Sequence, residues 1–436
     1  MYICLFFQKI ISMRLFPSNL SGISKRKRLT AYFIVLSAMS LMTTCQSAEE
    51  RLPGKAAKIH HEVLTLDSHV DTPLLLFNES YDIGKRNDPR RRGGKLDFPR
   101  MADGGLDAAF FAVFVGQGPG TPEGYGTALN RALTLFEMIH RAINDHPDQA
   151  ELALSPDDAP RIRAAGKRAI YIGVENGYPL GDDISHLKTF YDLGGRYLGL
   201  SHTRNNQLCD SSTDREGEKH GGLSEFGREV VRELNRLGMM VDVTHISDNA
   251  FYDVLEVSLA PVIASHSNAR AICDHPRNLD DDMLRALAEN GGVVQLCILS
   301  AYVKDMEPNH ERDSAFAELR QRYNNFQDLS DEEMELVRLE WNETDELYPA
   351  RLATVADLVD HVDHIVQLIG IDHVGIGTDF DGGGALADCF DVTELGNITF
   401  ELLRRGYSRK EIEKIWSGNF FRVFREVEAM AARLSE

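Results

Sequence analysis

The feature that most constrains this chain is a recurring pair: a strand-length apolar run followed by a helical stretch. The runs are "VLTLDSH" (63–69), "LDAAFFAVFV" (106–115), "AIYIGVENG" (169–177), "RYLGLSHT" (196–203), "MMVDVTHIS" (239–247), "PVIASHSN" (261–268), "GGVVQLCIL" (291–299) and "HVGIGTDFDG" (373–382). Most are continuously apolar rather than alternating, the pattern of parallel strands buried on both faces. Helical periodicity fills the gaps. In "SEFGREVVRELNRLG" (224–238), Phe226, Val230, Val231, Leu234 and Leu237 fall on one face, and Gly238 supplies the stop. "SRKEIEKIWSGNFFRVF" (408–424) opens with a Ser408/Glu411 capping box. Eight such units predict an α/β fold, a (β/α)8 TIM-like barrel. The charged stretch 303–350 after the seventh run exceeds what a barrel needs, and it reads as a helical insertion placed to form a lid or rim.

The polar residues collect where these runs end. His69 and Asp71 close the first, Glu175 the third, His202 the fourth, His245 the fifth, His266 the sixth and Asp379 the eighth. In a barrel these ends meet at one face, where active sites are built. His69 and Asp71, two apart on a strand, point the same way. One such pair is commonly loop solvation, but imidazole and carboxylate are also the usual ligands of zinc and its neighbours. His245 and His266 are one helix-and-strand unit apart, which sets them at matching heights on neighbouring strands roughly 4.8 Å apart. Glu175 at the top of a barrel is a costly charge unless a cation neutralises it. The assembled set reads as a metal site.

The bulk numbers exclude some partners. The 436 residues carry a formal charge of −20. The first 45 contain Lys9, Arg14, Lys25, Arg26, Lys27 and Arg28 but no acid, so the remainder is more acidic still. Nucleic acid is therefore not an expected partner. "KRKR" (25–28) followed by "LTAYFIVLSAMSLMTTC" (29–45) has the order of an export signal, with Met13 as an alternative start, which leaves 46–436 as the barrel. "LMTTC" resembles a bacterial lipoprotein box and implies lipidation at Cys45, although Thr44 stands where Gly or Ala is usual. The expected location is the periplasm or cell envelope, with a lipid anchor to the membrane. Cys209, Cys273, Cys297 and Cys389 have no CxxC spacing. A Cys273–Cys297 bridge and buried free thiols are both open.

Together "DSHVDTP", "GVENG", "LGLSHTRNN", "GREVVRELNRLGMMVDVTHIS", "VIASHSNARAICDHPRNLDDDML" and "HVGIGTDFDG" resemble the membrane (renal-type) dipeptidases, amidohydrolase-like metal-dependent hydrolases, over residues 57–428. The resemblance implies two zinc ions per chain, His69 and Asp71 on one, His245 and His266 on the other, and Glu175 between them. It implies a metal-bridging hydroxide as nucleophile, with Asp379 as proton carrier and His202 stabilising the oxyanion. Arg277 would pair with the substrate's free carboxylate. Tyr302 and Asn205 are further substrate-contact candidates, against a packing role for Tyr302 and a turn role for Asn205. The implied activity is hydrolysis of free dipeptides, including those with a carboxyl-terminal D-residue, and a homodimer is suggested. Alternatives are an acyl-amino-acid deacylase or lactonase on the same site, or a non-catalytic, metal-bound binding lipoprotein. Asp67 matches no ligand position, Asp381 reads as a loop cap and His275 has no role. His60, His61, His140, His146, His186, His220, His310, His361 and His364 read as surface residues.

Overall fold

In the computed structural model, residues 51–78, 80–89, 94–323 and 331–436 are described. The expected export signal and Cys45 lie outside them. The chain divides into Met1–Lys55 and Ala56–Glu436, and the second unit holds the barrel and its site.

The strands are β1 (Leu66–Val70), β2 (Ala108–Phe114), β3 (Ala150–Leu152), β4 (Arg168–Glu175), β5 (Gly195–Gly199), β6 (Met240–Asp242), β7 (Ile263–Ala264), β8 (Val293–Leu296) and β9 (Val374–Ile376). They form one parallel sheet in the order β1-β2-β4-β5-β6-β7-β8-β9, with β3 attached to the edge of β4. The eight anticipated runs are the eight barrel staves, and β3 is an additional strand. The sheet closes where Val70 bridges Phe380 in parallel. Asp71 N donates to Phe380 O at 2.8 Å, and Asp379 N to His69 O at 3.0 Å. Asp67, fully buried, accepts from Thr378 N at 2.9 Å, from Thr378 Oγ1 at 2.5 Å and from His69 N at 3.2 Å. It is the polar rivet of that seam.

Helices cover the outside. Ser224 caps the helix Glu225–Leu237, whose Val230, Val231 and Leu234 are buried, and Gly238 ends it with φ 76°. The Ser408/Glu411 capping box is present, but a π-helical turn over Lys414–Gly418 separates that first turn from the helix Asn419–Leu434. That last helix packs Phe420, Phe421 and Phe424 against the barrel's lower interior, beside Phe110 and Tyr171. The stretch after β8 is helical over Ser300–Val303, His310–Arg322 and Asp331–Leu347. The last two helices meet through the rings of Phe316 and Trp341, 4.5 Å apart.

Two of the histidines expected at the surface are buried. His60 places Nδ1 2.8 Å from Thr399 Oγ1 and Nε2 2.8 Å from Gly104 O. His361 accepts from Ala269 N at Nδ1 and sets Nε2 2.8 Å from Val303 O. An imidazole with both nitrogens partnered can be buried neutral at low cost. All four described cysteines are free, so Cys273 and Cys297 do not pair.

Candidate metal centre

The site lies at the carboxyl ends of the strands. Glu175 is the last residue of β4, and its backbone pairs with Phe114 of β2. Asp242 of β6 pairs with Ile263 of β7. His245 and His266 each follow three residues later, which puts them at the same height; their Nε2 atoms are 3.0 Å apart. The register of β1 against β2 shifts between Asp67 and Val70, so His69 sits in a bulge. Asp71 lies just past the strand, yet its Oδ2 is 3.6 Å from His69 Nε2.

Glu175 divides its oxygens between two sides. Oε2 is 3.4 Å from His69 Nε2. Oε1 is 3.0 Å from His245 Nε2, 3.7 Å from His266 Nε2 and 3.6 Å from His202 Nε2. Three sets of donor atoms lie within 4.8 Å of one another: His69, Glu175 and His266; Glu175, His202 and His245; His69, Asp71 and Asp379. These groupings overlap the ligand sets implied by resemblance without repeating them, because His202 and Asp379 each join one.

The electrostatics fit a cation. Asp71, Glu175 and Asp379 are all buried at this point, and His69 Nε2 and Asp71 Oδ1 have no hydrogen-bond partner. Burial opposes the charge on Glu175, but His69, His245 and His202 outweigh it and hold the carboxyl well below its ordinary range. Burial and the neighbouring charges of Asp71 and Glu175 push Asp379 well above its ordinary range. Burial holds His245 and His266 well below theirs, so both imidazoles are neutral and able to ligate. Orphaned donor atoms among crowded buried carboxylates fit a bound cation, which would satisfy the first and neutralise the second.

The backbone is strained here and nowhere else among the described residues. Asn176, His245, Asp379 and Asp381 are the non-glycine residues with positive φ, from 61° to 73°. Each costs roughly 1–2 kcal/mol and persists because the surrounding structure fixes it. Asn176 was not singled out from sequence; its Nδ2 donates to Val115 O at 2.9 Å and its Oδ1 accepts from Tyr178 N and Asn206 Nδ2 at 3.1 Å each. It locks the loop after Glu175. Asp381 accepts from Thr72 Oγ1 at 2.6 Å and Lys95 N at 2.8 Å, so it ties three loops together.

A cavity of about 320 Å³ opens above the centre, lined among others by Glu175, His202, Arg277, Tyr302 and Asp379. The Arg277 Nε has no partner, and Tyr302 supports the guanidinium with its ring centroid 5.4 Å from Cζ. His275 assists: its Nδ1 accepts from Arg277 N at 3.1 Å and its ring lies 4.5 Å from that of Tyr302. His202 rests on the Phe114 ring at 4.7 Å. Asn205 lies elsewhere. It lines a neighbouring cavity of about 930 Å³ that shares Thr203 with the first. Its amide is spent on the loop, donating to Gly217 O at 2.6 Å and accepting from Ser211 N at 2.8 Å.

A closed parallel barrel that gathers histidines and carboxylates around one shared glutamate defines a metal-dependent hydrolase of the amidohydrolase-like kind. The chain belongs to the membrane dipeptidase family, peptidase family M19, whose sequence profile matches residues 54–436. It is 32% identical over 406 residues to the dipeptidase tcpJ of Claviceps purpurea, covering 91% of this chain and 84% of that one. Human dipeptidase 3 is 34% identical over 385 residues, covering 86% and 68%. The crystal structure of the probable dipeptidase PvdM from Pseudomonas aeruginosa superposes with a TM-score of 0.74 at 31% identity, covering 87% of this chain and 99% of that one. The protein is a zinc-dependent peptide hydrolase.

Proposed function

We propose that the protein cleaves the single amide of free dipeptides with two zinc ions. The observation that carries this is the split of Glu175 between His69 on one side and His245 and His266 on the other. His69 and Asp71 would hold one ion, His245 and His266 the second, with Glu175 shared. When bound, the ions supply Lewis acidity and a water of lowered pKa. The chain's own groups do the rest. Arg277, buried with Nε unpartnered, holds the substrate's carboxylate and so selects a free carboxyl terminus. Tyr302 shapes that end of the cavity by stacking beneath the guanidinium. His202 donates a hydrogen bond to the oxygen that becomes negative in the tetrahedral intermediate. Asp379 takes the proton of the attacking water and returns it to the leaving amine. Asn205 acts through its loop rather than on the substrate.

Substrates extend to dipeptides with a carboxyl-terminal D-residue. Residues 1–45 direct export to the periplasm or cell envelope, with lipid attachment at Cys45, and the chain works as a homodimer. The basic run 25–28 ahead of an apolar stretch supports export. Among the described residues no helix is long and apolar enough to cross a membrane.

The test is release of free amino acids from L,L- and L,D-dipeptides and from their acetylated and amidated forms, with and without chelator. Chelator-sensitive turnover of free dipeptides alone is expected. Equal rates on amidated dipeptides would overturn the assignment in favour of a broader amide hydrolase.

A further inference from the structure

His69, His245 and His266 each turn Nε2 toward Glu175, and their Nδ1 atoms differ: that of His245 has no partner, while those of His266 and His69 are held. His266 Nδ1 lies 2.9 Å from Ser265 Oγ, which donates to Asp242 Oδ2 at 2.6 Å. His69 Nδ1 instead lies 2.8 Å from Tyr197 Oη, while His69 Nε2 has no hydrogen-bond partner. Tyr197 is fully buried on β5, and it reaches His69 from beneath the site, inside the barrel.

The reach is built in. Tyr197 pairs in register with Gly173 of β4. A Cβ at Gly173 would fall 1.9 Å from the Tyr197 Cζ, so the glycine leaves the lane through which the ring passes. Behind it Phe110 of β2 stacks at 5.3 Å, and Tyr171 of β4 stacks on Phe110 at 4.8 Å. The ring is pinned by an aromatic column that rises from the barrel floor.

We propose that Tyr197 is a positioning residue for the metal centre: its phenol oxygen accepts the Nδ1 proton of His69, fixes the tautomer that leaves Nε2 free to ligate, and thereby sets the affinity of the metal position His69 serves. This rests on the two-metal reading above. A histidine ligand whose other nitrogen is held this way is oriented before the metal arrives, and removing such a support weakens binding by about 10–100-fold. The effect should fall on one position, because the Tyr197 hydroxyl bonds to His69, whereas His245 and His266 bond to Glu175, Arg277 and Ser265.

The experiment is a chelator-competition titration of zinc on the full chain, alongside thermal unfolding of the metal-free protein. Tyr197→Phe keeps the ring and removes the acceptor. One of the two zincs should bind about 10–100-fold more weakly and the other within about twofold of native. Phe110→Leu loosens the same column without touching His69, and it should lower metal-free stability while leaving both affinities unchanged. Tyr197→Phe with both affinities at native values would overturn the inference. So would an equal loss of the same zinc in Phe110→Leu, since packing alone would then account for it. If Tyr197→Phe does not fold, the imidazole ¹⁵N shifts of the native, zinc-loaded protein decide: His69 with Nδ1 protonated and Nε2 on the metal is expected, and the reverse tautomer overturns it. A native protein that binds no zinc brings down the two-metal reading, and this inference with it. Two zincs whose affinities ignore Tyr197 bring down this inference alone.

Discussion

Asp379 admits two readings, because its carboxylate lies within 4.8 Å of the ligand atoms of His69 and Asp71. Its left-handed backbone turns the carboxylate into the cluster with His69 and Asp71, where it could carry a proton or grip a metal. Asp379→Asn separates the two. As a proton carrier it should keep both zincs and lose about 10²–10⁴-fold in kcat; zinc content measured by elemental analysis of the variant should stay at two. Loss of a zinc would make it a ligand. Arg277→Ala belongs to the same scale. KM for free dipeptides should rise about 30-fold, roughly 2 kcal/mol for a charge-assisted bond, and KM for amidated dipeptides should hardly move. Equal rises on both would remove its carboxylate role. Residues such as His69, Glu175, His245 and Asp379 were legible in the sequence because a polar group at the end of an apolar run stands out. Tyr197 and Asp242 were not, because they sit inside those runs and read as strand filler. Asn176 does carry a local signal: asparagine tolerates positive φ, and it follows the glutamate directly.

The loop after β9 shows how much an element's tip decides. A Cβ at Gly382 would lie 2.1 Å from Asp71 Oδ2 and 2.2 Å from Asp379 Oδ1, so this loop closes on both carboxylates only because residue 382 has no side chain. Gly382→Ala should push one carboxylate out of place and cost about 10²-fold in kcat/KM, the scale of a misplacement near 1 Å. Its thermal midpoint should change far less than its rate; a variant of native activity would show that the loop yields. The staves themselves were readable because continuous apolar runs and helical periodicity leave few alternatives. Ala150–Leu152 escaped because three residues carry no period and only one edge of β4 to pair with. The bulge at His69 escaped because register is set by the partner strand, which local pattern does not contain. The π-helical turn at Lys414–Gly418 escaped for a similar reason: the capping box fixes where a helix starts, not how its later turns are wound.

Across the whole molecule, the burial of His60 and His361 depends on partners distant in the chain. His60 looks like one of a solvent-facing pair in "HH", yet it packs edge-on against Trp416 at 5.1 Å and bonds to Thr399, 339 residues away. Nothing local announces that. The consequence is a pH dependence with a definite sign. Burial lowers the His60 pKa from 6.5 to about 4. Between those values the unfolded chain binds a proton that the folded chain refuses, so the stability His60 supports is complete above about pH 6.5 and drains away as the pH falls toward 4. The shift corresponds to at most about 3 kcal/mol. His60→Gln keeps an amide donor for Gly104 O and removes the titration. Unfolding free energies from urea titrations at pH 7 and pH 4 should therefore fall about 3 kcal/mol further in the native protein than in the variant. The metal centre loses its ions to acid in both, so its contribution cancels in the comparison. Parallel losses in the two proteins would mean that His60 is protonated in the folded state, and that the contact with Gly104 O is made by an imidazolium.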